Sequence, residues 1–235
     1  MPNLAPIGTI ASCFKEKFGI PRQPGLIPAA RADLVLHPPY NAPEALTGLE
    51  NFSHIWLIYI FHAVETGKWK PTVRPPRLGG NQRMGVFATR SNFRPNPLGL
   101  SAVKLDRIVT DDRRPRLELS GVDLLDGTPV LDIKPYLPYA DAIAGAKGGF
   151  AQKAPEQQLS IVFTDAARTA CKRLEAGAAP GITSLIEQML ALDPRPAYSG
   201  EGNPDRIYGF RIWNVDVKWK VALKQATVIE ISSVA

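Results

Sequence analysis

The sequence predicts a mainly β protein, in which a small antiparallel β-barrel is followed by a small α+β C-terminal domain. Within the first 137 residues, seven short apolar or alternating stretches follow one another without long helices between them. This spacing argues against a doubly wound parallel sheet, which needs a helix between successive strands. After residue 158 the apolar residues recur with helical spacing, and two further strand patterns follow.

The predicted strands of the barrel are rich in β-branched and aromatic residues, or alternate between apolar and polar residues. Proline, glycine and polar residues separate them, and Pro43 begins a short predicted helix over residues 43–50. The dipeptide Asp126-Gly127 predicts a tight turn between the last two strands. We place the strands at residues 7–13, 32–37, 54–62, 84–90, 100–109, 116–122 and 130–135.

The second part of the chain has a different organisation. Residues 138–158 are rich in alanine, glycine, lysine and proline, which is typical of a linker or a surface loop. Thr164 is suited to cap a helix over residues 165–176, and a second helix is predicted over residues 183–192. Strands are predicted at 207–217 and 218–231. We therefore expect a barrel domain over residues 1–140 and a second domain over residues 155–235.

Several classes of protein are excluded by what the sequence lacks. No apolar run approaches 18 residues, so we expect no transmembrane helix. The first residues do not resemble a secretory leader, and the expected location is the cytoplasm. Cys13 and Cys171 are far apart and have no metal-binding spacing, so we expect two reduced thiols and no metal. Neither a Walker loop nor a GxGxxG motif is present.

Positive charge is concentrated in one stretch, residues 68–99, which contains no acidic residue. Five prolines and the Gly79-Gly80 pair prevent a regular helix there, so the charge lies on rigid loops around a short apolar run. Residues 1–110 hold 13 Lys and Arg against 6 Asp and Glu, whereas residues 111–235 hold 15 against 16. Such asymmetry favours contact with a polyanion such as nucleic acid. A phosphate or carboxylate ligand, or a plain basic surface, would also fit. The basic residues are Lys68, Lys70, Arg74, Arg77, Arg83, Arg90 and Arg94.

Five segments combine polar side chains with a constrained backbone, and each also has a purely structural interpretation. Residues 21–25 hold an Arg-Gln pair between two prolines, as a ligand clamp or a surface turn would. His62 ends an apolar strand and is either functional or a core histidine. Residues 90–97 offer arginine forks and a stacking face on Phe93, unless they form a structural loop. Residues 126–129 form either a plain hairpin turn or a ribose- or amine-binding turn, and residues 193–198 could simply terminate a helix.

Four strings in the sequence resemble those of the bacterial TrmO family, formerly grouped as YaeB-like proteins. They are IPRQPGL, TVRPPRLGGNQRMGVFATRSNFRPNPLGLS, DLLDGTPVLDIKPY and DPRPAY. The resemblance covers nearly the whole chain. It implies a β-barrel that binds S-adenosylmethionine and a homodimer whose active site uses both subunits. It also implies N6-methylation of the adenosine immediately 3′ of the tRNA anticodon, already modified with N6-threonylcarbamoyl.

The resemblance also implies roles for individual residues of this sequence. The implied cofactor contacts are Pro21, Arg22, Gln23, His62, Ala63, Arg90, Leu100, Asp126, Gly127 and Thr128. We assign RNA contacts to Lys68, Lys70, Arg74, Arg77, Arg83, Arg94 and Arg195. Because the acceptor nitrogen is a poor nucleophile, a nearby base could assist the transfer. The candidates for this base are Asp126, Asp193 and Tyr198. The chemistry requires no metal.

Two other functions remain compatible with the sequence. The first is a tRNA-binding protein without catalytic activity, which would not retain S-adenosylmethionine. The second is an enzyme that acts on a small nucleotide or acid. Binding of such a ligand would depend only weakly on salt, whereas binding to RNA weakens steeply as salt displaces phosphate contacts.

Overall fold

A computed structural model of the chain describes residues 4–64, 69–110, 115–195 and 203–234. The described part contains twelve strands, three α-helices and several short 3-10 turns. The strands are β1 (Gly8–Ser12), β2 (Arg31–Leu36), β3 (His54–Ile60), β4 (Thr72–Val73), β5 (Met84–Gly85), β6 (Leu98–Val109), β7 (Arg116–Ser120), β8 (Pro129–Pro135), β9 (Ser160–Phe163), β10 (Tyr208–Ile212), β11 (Val215–Ala222) and β12 (Gln225–Ser233). The α-helices are α1 (Pro138–Asp141), α2 (Asp165–Glu175) and α3 (Ile182–Ala191).

Six strands close into a barrel in the order β1-β2-β7-β6-β3-β8, and all neighbours are antiparallel. The alternation seen in the sequence places one side of each strand inside. Leu34, Leu57 and Leu117 are fully buried there, while the residues between them face outward or toward other elements. Burying one face of every strand in a shared apolar interior is what fixes the register. The predicted fold class is confirmed.

The predicted strand over residues 84–90 is wrong over most of its length. Only Met84–Gly85 is extended, and it pairs with Thr72–Val73 outside the barrel. A 3-10 turn over Val86–Ala88 follows, in which Val86 is buried while Phe87 is 74% exposed. The barrel therefore has six strands and not seven. β4 and β5 instead make a short two-stranded arm that carries the basic loops.

Two other expectations are corrected in the same way. The predicted helix over residues 43–50 is a pair of 3-10 turns, Pro43–Leu46 and Leu49–Asn51. Gly48 separates them at a φ of 85°, a left-handed conformation that stops a regular helix and suits glycine. The linker predicted over residues 138–158 contains the short helix α1 and one 3-10 turn, Gly149–Ala151.

The C-terminal part is a four-stranded sheet in the order β10-β11-β12-β9, with helices α2 and α3 packed on it. Thr164 caps α2 as predicted, because its Oγ1 accepts a hydrogen bond from the Ala167 amide at 3.2 Å. The strand β9, which pairs in parallel with β12, was missed by the sequence pattern because it is only four residues long. Two predicted strands over 207–231 are in fact three.

The barrel and the C-terminal sheet share one continuous apolar core. The backbone joins them where Phe14, just after β1, forms a bridge to Ile212. The amide of Trp213 also donates to the Cys13 carbonyl at 2.7 Å, and both Cys13 and Phe14 are buried. Within the described ranges, no helix is long and apolar enough to cross a membrane.

The turn between β11 and β12 explains why the strands were miscounted and yields a test. Leu223 and Lys224 both adopt positive φ, at 49° and 62°, although neither is a glycine or asparagine. A left-handed conformation costs roughly 1–2 kcal/mol for an ordinary L-residue, and Asn-Gly is the preferred sequence at such turns. The Leu223 side chain is fully exposed, so no packing is lost when it is replaced.

Replacing Leu223-Lys224 by Asn-Gly should therefore stabilise the protein by about 1 kcal/mol and raise Tm by about 2–4 °C in thermal denaturation. A matched variant with Ser-Ser at the same positions removes the same side chains without the left-handed preference, and should not stabilise. Equal melting of the Asn-Gly variant and the wild type would show that these two residues carry no such strain.

Candidate active site

A wide, open depression lies between one end of the barrel, the β4–β5 arm and the edge of the C-terminal sheet. Its walls come from segments that are distant in the chain, so the fold brings them together. The sequence-predicted residues that line it are Pro21, Arg22, Gln23, His62, Ala63, Lys70, Arg74, Arg77, Arg83, Arg90, Arg94, Leu100, Thr128, Asp193 and Arg195. Asp126 and Gly127 lie in the turn directly before Thr128.

The proline-bounded arm of residues 21–25 is held against the barrel. The Gly25 amide donates to the Gly121 carbonyl at 2.8 Å, and the Gly121 amide donates to the Ala30 carbonyl at 2.9 Å. Arg90 Nη1 donates to Gln23 Oε1 at 2.6 Å, which joins this arm to the basic segment after β5. Arg22 and Arg90 are both exposed and thereby free to contact an anionic group.

The turn of residues 125–128 is pinned to β1 and to the segment after it. The Asp126 amide donates to the Phe14 carbonyl at 2.9 Å, and the Gly127 amide donates to the Ile10 carbonyl at 2.8 Å. Gly127 has a φ of 77°, and a Cβ added there would lie 3.8 Å from His62 Nε2. This open, left-handed backbone next to His62 is a surface that a ligand can approach closely.

The Asp126 carboxylate already has partners on both oxygens. Oδ1 accepts from the Ser12 amide at 2.8 Å, and Oδ2 forms an ion pair with Lys15 at 2.8 Å. These contacts hold the turn in place. They favour a positioning role for Asp126 over the role of base, and the catalytic assignment stays a prediction.

A buried polar group that the sequence analysis missed lies in the same wall. Asp123 Oδ1 accepts from the Ser101 hydroxyl at 2.7 Å, and Tyr59 Oη lies 3.3 Å from Ser101 Oγ. Ser101 is 1% exposed and Tyr59 5% exposed, whereas Asp123 remains partly accessible and lines the depression. Despite this access, burial raises the pKa of the Asp123 carboxyl to about 6, against the opposing effects of the Ser101 hydrogen bond and the Arg90 charge.

Tyr59 is fixed in this position by a glycine on the neighbouring strand. Gly99 on β6 is paired with Tyr59 on β3, and a Cβ at Gly99 would lie 2.2 Å from the tyrosine ring. No larger residue fits there without displacing the ring. The sequence clue to Asp123 is a carboxylate between the apolar residues Val122 and Leu124, both of which are buried, because an isolated acid there needs a partner or a function.

The basic segments fall into two groups by their contacts. Arg94 Nη1 donates to the carbonyls of Thr89 at 2.8 Å and Val86 at 3.2 Å, so it braces the loop as well as lining the depression. Arg77 donates to the Lys153 carbonyl. Arg74 and Arg83, in contrast, are exposed and have no ion pair or hydrogen bond to any described residue. Lys68 lies outside the described residues.

Lys70 and two aromatic residues, Phe87 and Phe93, also line the depression. Lys70 Nζ is 4.3 Å from the centroid of the Phe93 ring, and the Arg94 guanidinium is 5.6 Å from the Phe87 ring. Exposed aromatic rings next to cations are typical of surfaces that bind single-stranded nucleic acid.

The C-terminal motif is organised around one ion pair. Arg195 donates to both Asp193 oxygens, from Nε to Oδ1 at 2.8 Å and from Nη2 to Oδ2 at 2.7 Å. The two side chains are only 10% and 16% exposed, and this pairing raises the pKa of Arg195. The predicted RNA contact by Arg195 and the catalytic role of Asp193 stay predictions, since each side chain is held by the other. Tyr198 lies outside the described residues.

Among the described residues, no group of three or more histidine, cysteine or acidic side chains is arranged to hold a metal ion. The two thiols, Cys13 and Cys171, are both buried and unpaired by disulfides. The residues that could hold an organic cofactor are those of the barrel wall: the arm of residues 21–25, His62, Arg90, Leu100 and the turn of residues 125–128.

Comparison with known proteins agrees with this arrangement. The sequence model of the family named tRNA-methyltransferase O N-terminal domain matches residues 9–142, and the sequence model of the TrmO C-terminal domain matches residues 156–234. An Escherichia coli K12 protein named tRNA (adenine(37)-N6)-methyltransferase is 48% identical over 215 residues, covering 92% of this chain and 91% of that protein. A Pseudomonas aeruginosa protein named "Putative S-adenosylmethionine-dependent methyltransferase RcsF" is 52% identical, covering 92% of this chain and 91% of that protein.

The similarity extends to solved structures. A crystal structure of TrmO from Pseudomonas aeruginosa matches with a TM-score of 0.82 at 43% identity, covering 99% of both chains. The fold and the site thus define a class of protein, in which a closed antiparallel barrel carries a cationic ligand site beside a C-terminal α+β sheet. The chain belongs to the TrmO family, and the resemblance predicted from its sequence is confirmed.

Arg90 offers the most direct test of the site. Loss of a charged hydrogen bond to a ligand costs about 1.5–3 kcal/mol, which is roughly a ten- to hundredfold effect. Arg90→Ala should therefore weaken S-adenosylmethionine binding and methyl transfer by at least tenfold, as measured by calorimetry and labelled-methyl transfer. Circular dichroism and Tm should be nearly unchanged because the side chain is exposed.

Gln23→Ala is the matched comparison, since it removes the partner of Arg90 and leaves the cation. Its effect on binding should be smaller than that of Arg90→Ala. Wild-type binding and turnover in Arg90→Ala would remove Arg90 from the site.

Proposed function

We propose that the protein transfers the methyl group of S-adenosylmethionine to N6 of the tRNA adenosine immediately 3′ of the anticodon. We further propose that this adenosine already carries N6-threonylcarbamoyl, and that the enzyme acts as a cytoplasmic homodimer. The observation that carries the proposal is one depression lined by both the barrel wall and the unpaired basic residues of the β4–β5 arm. Relatives named as tRNA (adenine(37)-N6)-methyltransferases support the target.

The barrel wall fits the chemical groups of the cofactor. Arg22 and Arg90 suit a carboxylate, because a guanidinium can donate two parallel hydrogen bonds to it. Leu100 is 52% exposed at the rim and offers an apolar surface to a purine ring. The backbone at Gly127 can approach a ribose or ring edge closely. When bound, S-adenosylmethionine supplies an activated methyl group. We assign this binding to residues 1–140.

The role of the protein in such a transfer is chiefly to align donor and acceptor. Positioning alone can lower a barrier by roughly 7–11 kcal/mol when the reacting atoms are held in line. The hydrogen bonds that fix the arm of residues 21–25 and the turn of residues 125–128 are suited to this, because both segments are tied to the barrel by backbone groups. Residues 155–235 supply the opposite wall and, in our proposal, contact the tRNA.

The dimer is proposed on two grounds. The family resemblance implies it, and Leu98 and Leu100 leave apolar surface exposed on the β6 rim next to the site. A partner subunit covering this rim would exclude water from the reacting groups. The cytoplasmic location is proposed because the substrate tRNA is there.

The direct test is transfer of labelled methyl groups into bulk tRNA from cells that lack this protein. We expect labelling of one adenosine next to the anticodon, and no labelling of tRNA that lacks the threonylcarbamoyl group. A protein that binds tRNA but neither binds nor uses the cofactor would contradict the proposal. Methylation of a free nucleotide or small acid, with tRNA left unlabelled, would contradict it in favour of a small-molecule enzyme.

The RNA surface can be tested separately with Arg74→Gln and Arg83→Gln combined with Lys70→Gln. Each lost phosphate contact on a single strand should reduce the log–log salt slope of tRNA binding by about 0.7. We expect weaker tRNA binding and a flatter slope, with cofactor binding measured by calorimetry unchanged.

The matched control is Arg211→Gln with Lys218→Gln, since neither cation lines the depression and they are paired with Asp216 and Glu230. This control should keep the wild-type salt slope. Equal tRNA affinity of the triple variant and the wild type would contradict the assignment of the arm to RNA.

A further inference from the structure

We infer that Asp123 accepts the proton that leaves the adenosine N6 during methyl transfer, and that Ser101 and Tyr59 hold its carboxylate in position for this. The inference rests on the proposed function and names a residue that the sequence analysis did not select. Asp123 lines the depression between the arm of residues 21–25 and the turn of residues 125–128.

The hydrogen-bond chain behind Asp123 has a defined direction. The Ser101 hydroxyl has one proton, and it donates this proton to Asp123 Oδ1 at 2.7 Å. The bond of 3.3 Å between Tyr59 and Ser101 must therefore be donated by Tyr59. Tyr59 thus donates to Ser101 and Ser101 donates to the carboxylate, which favours the ionised form of Asp123 and orients it. Among the described residues, the donors to the Asp123 carboxyl are the Ser101 hydroxyl and the amide of Asp123 itself, so the carboxylate keeps lone pairs that a substrate N–H can reach from the depression.

The hydrogen-bond chain of Tyr59, Ser101 and Asp123 is part of the barrel wall and not a chance contact between surface side chains. Tyr59 and Ser101 are buried on the adjacent strands β3 and β6, and Gly99 leaves the space that the tyrosine ring occupies. Burying two hydroxyls and part of a carboxylate is costly unless they satisfy one another or serve a ligand. The other acids that line the depression in the described residues are Asp193, which is paired with Arg195, and Glu156, which is exposed.

The step balances as follows. The N6 lone pair forms the new N–CH₃ bond while the S–CH₃ bond breaks, and its electron pair stays on sulfur, which becomes a neutral thioether. The N6 proton passes to Asp123 Oδ2, so no further reactant is needed. A carboxyl that titrates near pH 6 is a better acceptor at neutral pH than an ordinary aspartate, because general-base catalysis is most effective when the pKa lies near the working pH.

The charged and titratable groups that influence Asp123 are few. Burial raises the pKa of Asp123, while the hydrogen bonds from Ser101 and from its own amide and the charge of Arg90 lower it. Burial and the nearby Asp123 charge both raise the pKa of Tyr59, so the tyrosine stays a protonated donor throughout the working range. His62 lies in the same wall, next to the Gly127 turn.

The experiment is a pH–rate profile for single-turnover methyl transfer into tRNA, measured between about pH 5 and pH 8. In the wild type the rate should rise with pH, reach half its plateau near pH 6 and level off above about pH 7, because only the ionised carboxylate accepts a proton. Asp123→Asn should lower the plateau by about a hundredfold or more and remove the rising limb. Calorimetric binding of S-adenosylmethionine should stay within about threefold of the wild type, which separates proton transfer from cofactor binding.

Ser101→Ala provides a second measurement, the pH of the rising limb, which would not change if Ser101 had a purely structural role. Removing a donor to the charged form raises the carboxyl pKa, so the rising limb should shift upward by about one pH unit while the plateau is largely retained. Asp132→Asn is the matched control, because this carboxylate is half-exposed on β8 and ion-paired with Lys134. It should leave the profile unchanged.

Three results would overturn the inference. A rising limb that persists in Asp123→Asn would belong to a group other than Asp123. Loss of cofactor binding in Asp123→Asn would make the carboxylate a cofactor contact. If the rising limb of Ser101→Ala lay at the same pH as that of the wild type, the hydrogen bond from Ser101 would not set the pKa of Asp123. Absence of methyl transfer by the wild type would instead contradict the proposed function itself, so the two failures are distinguishable.

Discussion

The attachment of the turn of residues 125–128 to strand β1 is the constraint on which the site depends. Asp126 is the main link, since its amide and both carboxylate oxygens bind Phe14, Ser12 and Lys15. Closing the barrel with β8 next to β1 makes this attachment possible. The positions of Asp123 and of the ligand-facing backbone at Gly127 both depend on this attachment, because the two residues lie within the same short segment, residues 123–128.

The strands of the barrel could be predicted from the sequence because residues that are neighbours in the chain mark each strand and each turn. Residues 54–60 are β-branched and aromatic, residues 100–109 alternate between apolar and polar, and turn residues separate the strands. The errors have physical causes. Residues 86–88 look apolar, but only Val86 finds a place in the core, so the segment turns instead of extending. The turn at Leu223-Lys224 has none of the residues that favour positive φ, so two strands were read as one.

The site could be predicted only in part, for a similar reason. Clusters such as Pro21-Arg22-Gln23 and the basic loops are contiguous in the chain and therefore visible as motifs, and the family resemblance supplied their roles. Asp123 acquires its environment from Ser101, 22 residues away, and from Tyr59 behind it. No pattern in one sequence encodes that pairing, since it arises from strand register. Asp126 could be identified from the sequence, but the contacts of its carboxylate with Ser12 and Lys15 could not.

Main-chain groups make part of the junction between the barrel and the C-terminal sheet, beside the apolar core that the two share. The bridge from Phe14 to Ile212 and the bond from Trp213 to Cys13 are both of this kind. Main-chain contacts survive substitution of side chains, so the angle between the two walls can persist while the surfaces that they present diverge. In evolutionary terms, specificity for different tRNA sequences could change by mutation of the walls alone, without a new hinge or a rebuilt scaffold.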